Sequence, residues 1–265
     1  MKTAVIQLNV GGNKKDNIAK AVSFVKQAIE GKAEFIALPE VFPFRGRIKE
    51  HLSSAAEGIP GESTGPLQEL AKKYKVFILA GSIYEKAQGT GKAYNTSIFI
   101  DDRGEIAAAY RKINLFDLDL PEKRIKESDY FIPGRKAVTA RVKNFSVGLS
   151  VCYDIRFPGL YQEYRRQGAE ILCAPSAFTY ETGKAHWHIL LRARAVENLC
   201  YVAAPNQCGG GGDITQCYGH SLIVSPWGEI LAEASEDKEE IIFADLEKRI
   251  IQERRAILPV FLNKT

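Results

Sequence analysis

The chain has 265 residues, 45% hydrophobic and 26% charged, with a net charge of +4, so it carries enough apolar material for a substantial soluble core. It shows no Lys/Arg block of the kind that marks nucleic-acid binding and no apolar stretch long enough to span a membrane. The opening run MKTAVIQLNV is too short and too polar at its end for a signal peptide, and the five scattered cysteines fit no disulfide framework, so the expectation is one domain, residues 1–265, in a reducing cytoplasm.

In chain order, residues 3–10, TAVIQLNV, read as a buried strand. A helix from residue 13 or 14 to 30 follows, with Ile18, Val22, Val25 and Ile29 at spacings of three and four and Gly31 at its end. FIALPE is a second strand with Glu40 where it stops, and residues 43–59 read as irregular, with Phe42, Phe44 and His51 near a site mouth. Gly65-Pro66 leads into the helix PLQELAKKY, and VFILAGSIY reads as one apolar strand. YNTSIFID and EIAAAYRK form a hairpin through Asp102-Arg103-Gly104. Residues 114–134 make a long connection without a clear period, and such loops are commonly functional.

Residues 138–142 and 145–151 are the next pair of strands, and 160–167 a helix capped by Gly168. EILCAPSAF is a short buried strand, Gly183 precedes a helix over 184–198, and CYVAAPN runs to Asn206. A flexible glycine run occupies 209–212, after which HSLIVSP, EILAEAS and EEIIFADL complete the sheets ahead of a last helix over 246–256. Strands alternating with helices, with antiparallel pairs among them, predict an α/β protein. Periodicity alone does not separate a doubly wound sheet from two sheets packed face to face.

Three strand ends carry reactive groups. The apolar run VGLSV reaches Cys152 and gives way at once to YDIRFP. A cysteine between a strand and a helix can lift its sulfur out of the sheet beside backbone N–H groups. Taken alone, such a cysteine is more often a small buried hydrophobe. Glu40 and Lys112, each where an apolar run stops, change that balance, because active sites of α/β sheets collect at strand ends. A thiol of ordinary pKa is only slightly ionised near neutrality and needs a base or a cation beside it. Histidine is the commoner partner, but His186 and His188 are two apart and point different ways on a helix, with Trp187 between them. Cys208, Cys217 and His220 lack the spacing of a zinc site, so neither metal nor cofactor is expected. Asp154 and Arg156 read as braces of the turn rather than substrate contacts. Arg192, Arg194 and Glu197 read as ion pairs or interface groups along one helix.

LPE with Glu40, YRK with Lys112 and CYDIRFP with Cys152, in that order, resemble the nitrilase or carbon–nitrogen hydrolase superfamily. The later runs PSAFTYETGKAHWHILLRARAVENLCYVAAPNQCG and YGHSLIVSPWGEILAEA are similar to its omega-amidase and deaminated-glutathione amidase branch. The resemblance covers nearly the whole chain and implies a four-layer αββα sandwich. It also implies Cys152 as nucleophile, Glu40 as base, and Lys112 with the backbone N–H of Tyr153 as donors to the oxyanion. In KESDYFIPG it assigns Glu127 as a second active-site glutamate that fixes Lys112 and the substrate amide. Tyr153, Phe178 and Thr182 are the candidate substrate-binding residues, with Tyr180 beside them.

The implied reaction converts the carboxamide of a small carboxylate-bearing molecule, a 2-oxo acid amide or deaminated glutathione, to acid and ammonia through a thioester on Cys152. The resemblance further implies a homodimer built on the helix after Gly183 and the LPVF tail. Two other readings stand beside it: a nitrilase or N-carbamoyl amide hydrolase using the same residues, and a catalytically silent scaffold. The intact set Glu40, Lys112, Glu127 and Cys152 counts against the scaffold.

Overall fold

The structure, a computed structural model, describes residues 1–120, 123–211 and 214–260. Its layering follows from strands whose two faces are both apolar. In the first sheet Val5, Phe35, Ala37, Phe77 and Leu79 face one way and meet Val147, Leu149, Ile171, Cys173, Tyr201 and Ala203 of the second sheet. Their chain neighbours Ala4, Ile6, Ile36 and Ile78 face the other way, in a cluster with Ala21, Val25 and Ala28 of the helix Lys14–Glu30 and Leu67, Leu70 and Ala71 of the helix Gly65–Tyr74. Leu172 and Val202 of the second sheet likewise back onto the helices Pro158–Arg166 and Tyr180–Asn198. A strand buried on both faces has no polar side, which is why these segments read as continuous apolar runs. The result is the expected αββα sandwich, with the largest core between the sheets.

The first sheet runs Glu240–Asp245, Lys2–Gln7, Phe35–Ala37, Phe77–Leu79, Ala93–Ile100, with Ile83–Lys86 and Ile106–Arg111 both paired to the last of these. The second runs Ile230–Glu233, Leu222–Val224, Tyr201–Ala204, Ile171–Cys173, Phe145–Leu149, Thr139–Val142. The centre of each sheet is parallel, in register Thr3↔Phe35 and Phe35↔Phe77 in one and Val147↔Ile171 and Ile171↔Tyr201 in the other. Parallel strands deliver their carboxyl ends to one edge of a sheet, and the connections leaving them build the site. The bridges Leu8↔Gln207 and Ser176↔Asn206 tie those connections together.

Several local expectations differ from the structure. VFILAGSIY is two strands, Phe77–Leu79 and Ile83–Lys86, divided at Gly81. Gly81 has φ +43°, and a Cβ there would lie 1.8 Å from the carbonyl oxygen of Pro39. Residues 43–59 contain a helix, Ile48–Ala55, whose Leu52 and Ala55 are buried. The connection over 114–134 holds the paired strands Asp117–Leu120 and Lys123–Lys126 and a tight turn, Glu127–Asp129. The helix assigned to 184–198 begins at Tyr180 and includes Gly183, which Tyr218 packs so closely that a Cβ would lie 2.3 Å from its Cβ. Of the glycine run, residues up to Gly211 form a strand paired with Ile214–Tyr218, and Gly212 lies outside the described residues, as does Phe261 of the LPVF tail.

Gly81 therefore permits both a left-handed turn and the close approach of Pro39, the residue before Glu40. Gly81→Ala is expected to cost about 2 kcal/mol or more in urea unfolding, the sum of backbone strain and a steric clash. An unchanged midpoint would mean that the turn is not constrained by that contact.

Candidate active site

The cavity beside these strand ends has a volume of about 380 Å³ and is lined by Glu40, Lys112, Glu127 and Cys152 together. Glu40 lies three residues past the strand Phe35–Ala37 in a turn that Val41 completes at φ 45°, an unusual value for a β-branched residue. The turn is pinned from two sides: Ser82 Oγ accepts the Val41 N–H at 3.0 Å, and Gln207 Nε2 donates to the Glu40 carbonyl at 2.7 Å. The carboxylate accepts from Asn95 Nδ2 at 2.9 Å and Lys112 Nζ at 3.1 Å through Oε1, and from the Ala177 N–H at 2.8 Å through Oε2.

Lys112 directly follows the strand Ile106–Arg111, and its N–H still donates to Asn95 O at 2.8 Å. Its side chain is 1% exposed, with Nζ 3.0 and 2.9 Å from Glu127 Oε1 and Oε2. Glu127 also accepts the Phe116 N–H at 2.7 Å, which fixes the far side of its carboxylate. Burial acts to lower the Lys112 pKa, but the charges of Glu127 and Glu40 overcome it and hold the ammonium well above its ordinary value. Burial raises the Glu127 carboxyl above the ordinary range against the pull of Lys112, and the Glu40 charge adds to the rise.

Cys152 begins a short helical turn, Cys152–Arg156, at φ 45°, with its N–H donated to Pro175 O at 2.9 Å. Asp154 braces this turn, as expected. It accepts the Val151 N–H and the Asn114 N–H and side-chain amide, each at 2.9 Å, and the Tyr110 hydroxyl at 2.7 Å, so it joins the nucleophile turn to the Lys112 segment. Arg156 differs from expectation: it lines the cavity, with its guanidinium 5.7 Å from the Tyr153 ring centroid and 5.2 Å from that of Phe178. Burial, and next the charge of Glu40, push the Cys152 thiol well above its ordinary pKa, while Lys112 and the Ala177 N–H pull the other way. These surroundings favour the thiol over the thiolate in the resting site.

Tyr153, Phe178 and Thr182 also line the cavity, and the Tyr153 ring packs between Phe116 and Phe157 at 5.0 and 5.5 Å. Arg194 pairs with Glu197 at 2.8 Å, whereas Arg192 instead donates to Gly228 O. Asn95, Arg45, Tyr84 and Phe131 reach the cavity without having been singled out from the sequence. Asn95 is the first of three consecutive buried polar residues, Asn95, Thr96 and Ser97, in the strand Ala93–Ile100.

The family described as carbon-nitrogen hydrolase matches residues 2–256. The chain belongs to the carbon–nitrogen hydrolase family. It is 40% identical over 266 residues to human omega-amidase NIT2, which covers 99% of this chain and 94% of the relative. The crystal structure of the C. elegans NitFhit protein superposes with a TM-score of 0.92 at 36% identity, over 99% of this chain; the match spans 64% of that longer protein. An amidase from Nesterenkonia sp. AN1 superposes with a TM-score of 0.80 at 26% identity, over 98% of both chains. That structure is a glutamate-to-glutamine mutant showing the result of Michael addition of acrylamide at the active-site cysteine. This hydrolase is therefore an enzyme acting on carbon–nitrogen bonds, an amidase of the nitrilase superfamily. Among the described residues no helix is long and apolar enough to cross a membrane.

The thiol state has a direct test in ultraviolet thiolate absorbance, taken as the difference between the protein and Cys152→Ala. The difference is expected to stay flat through pH ~8.5, the ordinary cysteine midpoint, and to rise at lower pH in Glu40→Gln, which removes the nearest opposing charge. A midpoint at or below the ordinary value in the unaltered protein would contradict the resting thiol.

Proposed function

We propose that this hydrolase is a cysteine-dependent amidase, with residues 1–265 as one catalytic domain, that converts the carboxamide of a small carboxylate-bearing substrate to acid and ammonia. The observation that carries the reading is the buried ammonium of Lys112, shared by Glu40 and Glu127 beside the Cys152 thiol. Glu40 takes the thiol proton as Sγ bonds to the carboxamide carbon, and the carbonyl oxygen becomes an oxyanion held by Lys112 and the Tyr153 N–H. The C–N bond then breaks, Glu40 passes its proton to the departing nitrogen, and ammonia leaves a thioester on Cys152. Water, losing a proton to Glu40, attacks that thioester; the C–S bond breaks, the acid is released and the proton returns to sulfur. Glu127 positions Lys112 and the substrate amide.

Three cationic side chains, Arg45, Lys126 and Arg156, also line the cavity and supply partners for a substrate carboxylate. A volume of about 380 Å³ is near the small end for ligand pockets and suits a short acid amide. The relative's name, omega-amidase, supports the same class. A 2-oxo acid omega-amide and deaminated glutathione are the two substrates of first choice.

Ammonia release from a panel of amides, nitriles and N-carbamoyl compounds, each with and without a remote carboxylate, tests the reading. Carboxylate-bearing amides are expected to be preferred, with Arg156→Ala raising KM for them and leaving neutral amides unaffected. Cys152→Ala is expected to be inactive, and Lys112→Met to lose about 10²–10³ in kcat, the usual effect of removing one oxyanion donor. Mass spectrometry of a quenched reaction is expected to find the acyl group on Cys152. Strong nitrile turnover with inert amides would overturn the choice of reaction. Activity surviving Cys152→Ala would overturn the nucleophile.

We further propose a homodimer through the helix Tyr180–Asn198. Ile189 and Val196 lie exposed seven residues apart on one side of it, and Trp227 and Ile257 are exposed as well. Gly228 lies against Val196, and Arg254 stacks over the Trp227 ring at 4.8 Å. Exposed apolar side chains that gather in this way mark association surfaces. Sedimentation velocity is expected to give a dimer that Val196→Glu converts to monomer; a monomer at all concentrations would remove the proposal.

A further inference from the structure

Across the helix Tyr180–Asn198 from the catalytic cavity, two imidazoles converge on one carboxylate oxygen. His188 Nε2 is 2.9 Å and His220 Nδ1 2.7 Å from Glu233 Oε1, and the three groups can present one ligand atom each within 4.8 Å of one another. None of the three lines the catalytic cavity. We propose that His188, His220 and Glu233 form a binding site for a first-row divalent transition metal, best suited to zinc, that clasps this helix to the second sheet.

The donor set decides the class of ion. Two imidazole nitrogens with one carboxylate oxygen suit zinc and its neighbours, whereas magnesium and calcium require shells of oxygen. Bonds of about 2.0–2.2 Å in a tetrahedral arrangement need ligand atoms ~3.4 Å apart, so the two imidazoles, now 2.9 and 2.7 Å from Glu233 Oε1, have only to draw back slightly from that oxygen, and all three ligand atoms already lie within 4.8 Å of one another. The side chains are 32%, 22% and 34% exposed, which leaves room for that movement and for a water at the fourth position.

The supporting contacts are those a metal site needs. Trp187 Nε1 donates to the His220 carbonyl at 2.7 Å, and the Tyr218 ring stacks 4.4 Å from the His220 ring, so that histidine is held in place. Tyr218 also meets the His188 ring edge-on at 5.9 Å. The second nitrogen of His220, Nε2, faces Glu236 Oε2 at 3.8 Å. A small shift of the His220 ring would bring Nε2 within hydrogen-bond reach of Glu236, the arrangement that orients a ligating histidine with Nδ1 toward the metal. Zinc takes neutral imidazoles and an ionised carboxylate as ligands, so protons compete with it and binding weakens in acid.

The clasp has a structural consequence for the catalytic wall. His188 lies two turns along the helix from Tyr180, and the first turn of that helix carries Thr182 into the cavity. His220 and Glu233 belong to the second sheet and its entry, so the ion would bolt this helix to the strands Leu222–Val224 and Ile230–Glu233.

The experiment uses the full chain carrying Cys152→Ala, so that the active-site thiol does not compete for metal. Zinc titrated against a chromophoric chelator is expected to bind at one equivalent per chain, and cobalt in its place to give the visible band of a four-coordinate ion. Thermal unfolding is expected to shift upward with zinc and not with magnesium. His188→Ala and Glu233→Gln, each checked for native circular dichroism, are expected to abolish stoichiometric binding, and Glu236→Gln to weaken it roughly tenfold. Failure of the Cys152→Ala protein to bind an equivalent of zinc, or retention of that equivalent in both ligand variants, would overturn the proposal. Neither result bears on the amidase reading, which is tested with Cys152 present.

Discussion

One buried ammonium organises this molecule. Lys112 is 1% exposed, and an isolated charge in that position would be too costly to keep. It is tolerated because Glu40 and Glu127 approach from two sides, and each carboxylate has a further partner, Asn95 and the Ala177 N–H for one and the Phe116 N–H for the other. A thiolate beside this cluster would be poorly solvated and would face the Glu40 charge, and these two influences push the Cys152 thiol well above its ordinary pKa. In the proposed mechanism that restraint is useful: thiolate character develops only as the proton moves to Glu40, when a carbonyl carbon is present to receive the electron pair.

The groups that meet in this cluster come from both sheets, and what holds the sheets in register therefore holds the chemistry. Gln7 reaches across to Ser221 and to the carbonyls of Ser235 and Lys238, and Gln207 returns to the Glu40 carbonyl. Asp154 ties Tyr110 and Asn114, on either side of Lys112, to Val151, just before Cys152. Burial raises the Asp154 carboxyl above its ordinary range, yet four donors converge on it. Val41 and Cys152 both adopt left-handed backbone, conformations that persist only when their surroundings over-determine them. Here the surroundings are these buried polar contacts.

What the sequence made legible follows the same physics. Strands buried on two faces announce themselves as apolar runs, so the layers were readable, and Glu40, Lys112 and Cys152 stood out because motif and strand end coincide, whereas Glu127 rested on the motif alone. The break at Gly81 was not, because its cause is the carbonyl of Pro39, brought alongside only by folding. The start of the long helix was misplaced for a similar reason: Gly183 reads as a stop, but in the fold it is the space that Tyr218 occupies. Arg45 reaches the cavity from a segment with no pattern of its own, and Tyr84 from the end of an apolar run that marks it only as core. The histidines show the limit most sharply. Spacing directed attention to Cys208 and Cys217 as partners for His220, whereas its neighbours are His188, on a helix, and Glu233, on a strand beyond the next turn.

The two active-site carboxylates are not equivalent, and their surroundings separate their proposed roles. Glu127 spreads both oxygens over the one ammonium and is tied to a backbone N–H, so its freedom to turn toward a substrate proton is small. Glu40 gives one oxygen to Lys112 and Asn95, while the other accepts the Ala177 N–H and is free to accept more. Its charge is the second-largest influence on the thiol, after burial. A base that must collect a proton from sulfur, deliver it to nitrogen and collect another from water needs that reach, whereas a group that only steadies a cation needs the opposite. The asymmetry of hydrogen bonding thus supports the proposed division, proton transfer at Glu40 and positioning at Glu127, on grounds separate from the motif that first drew attention to them.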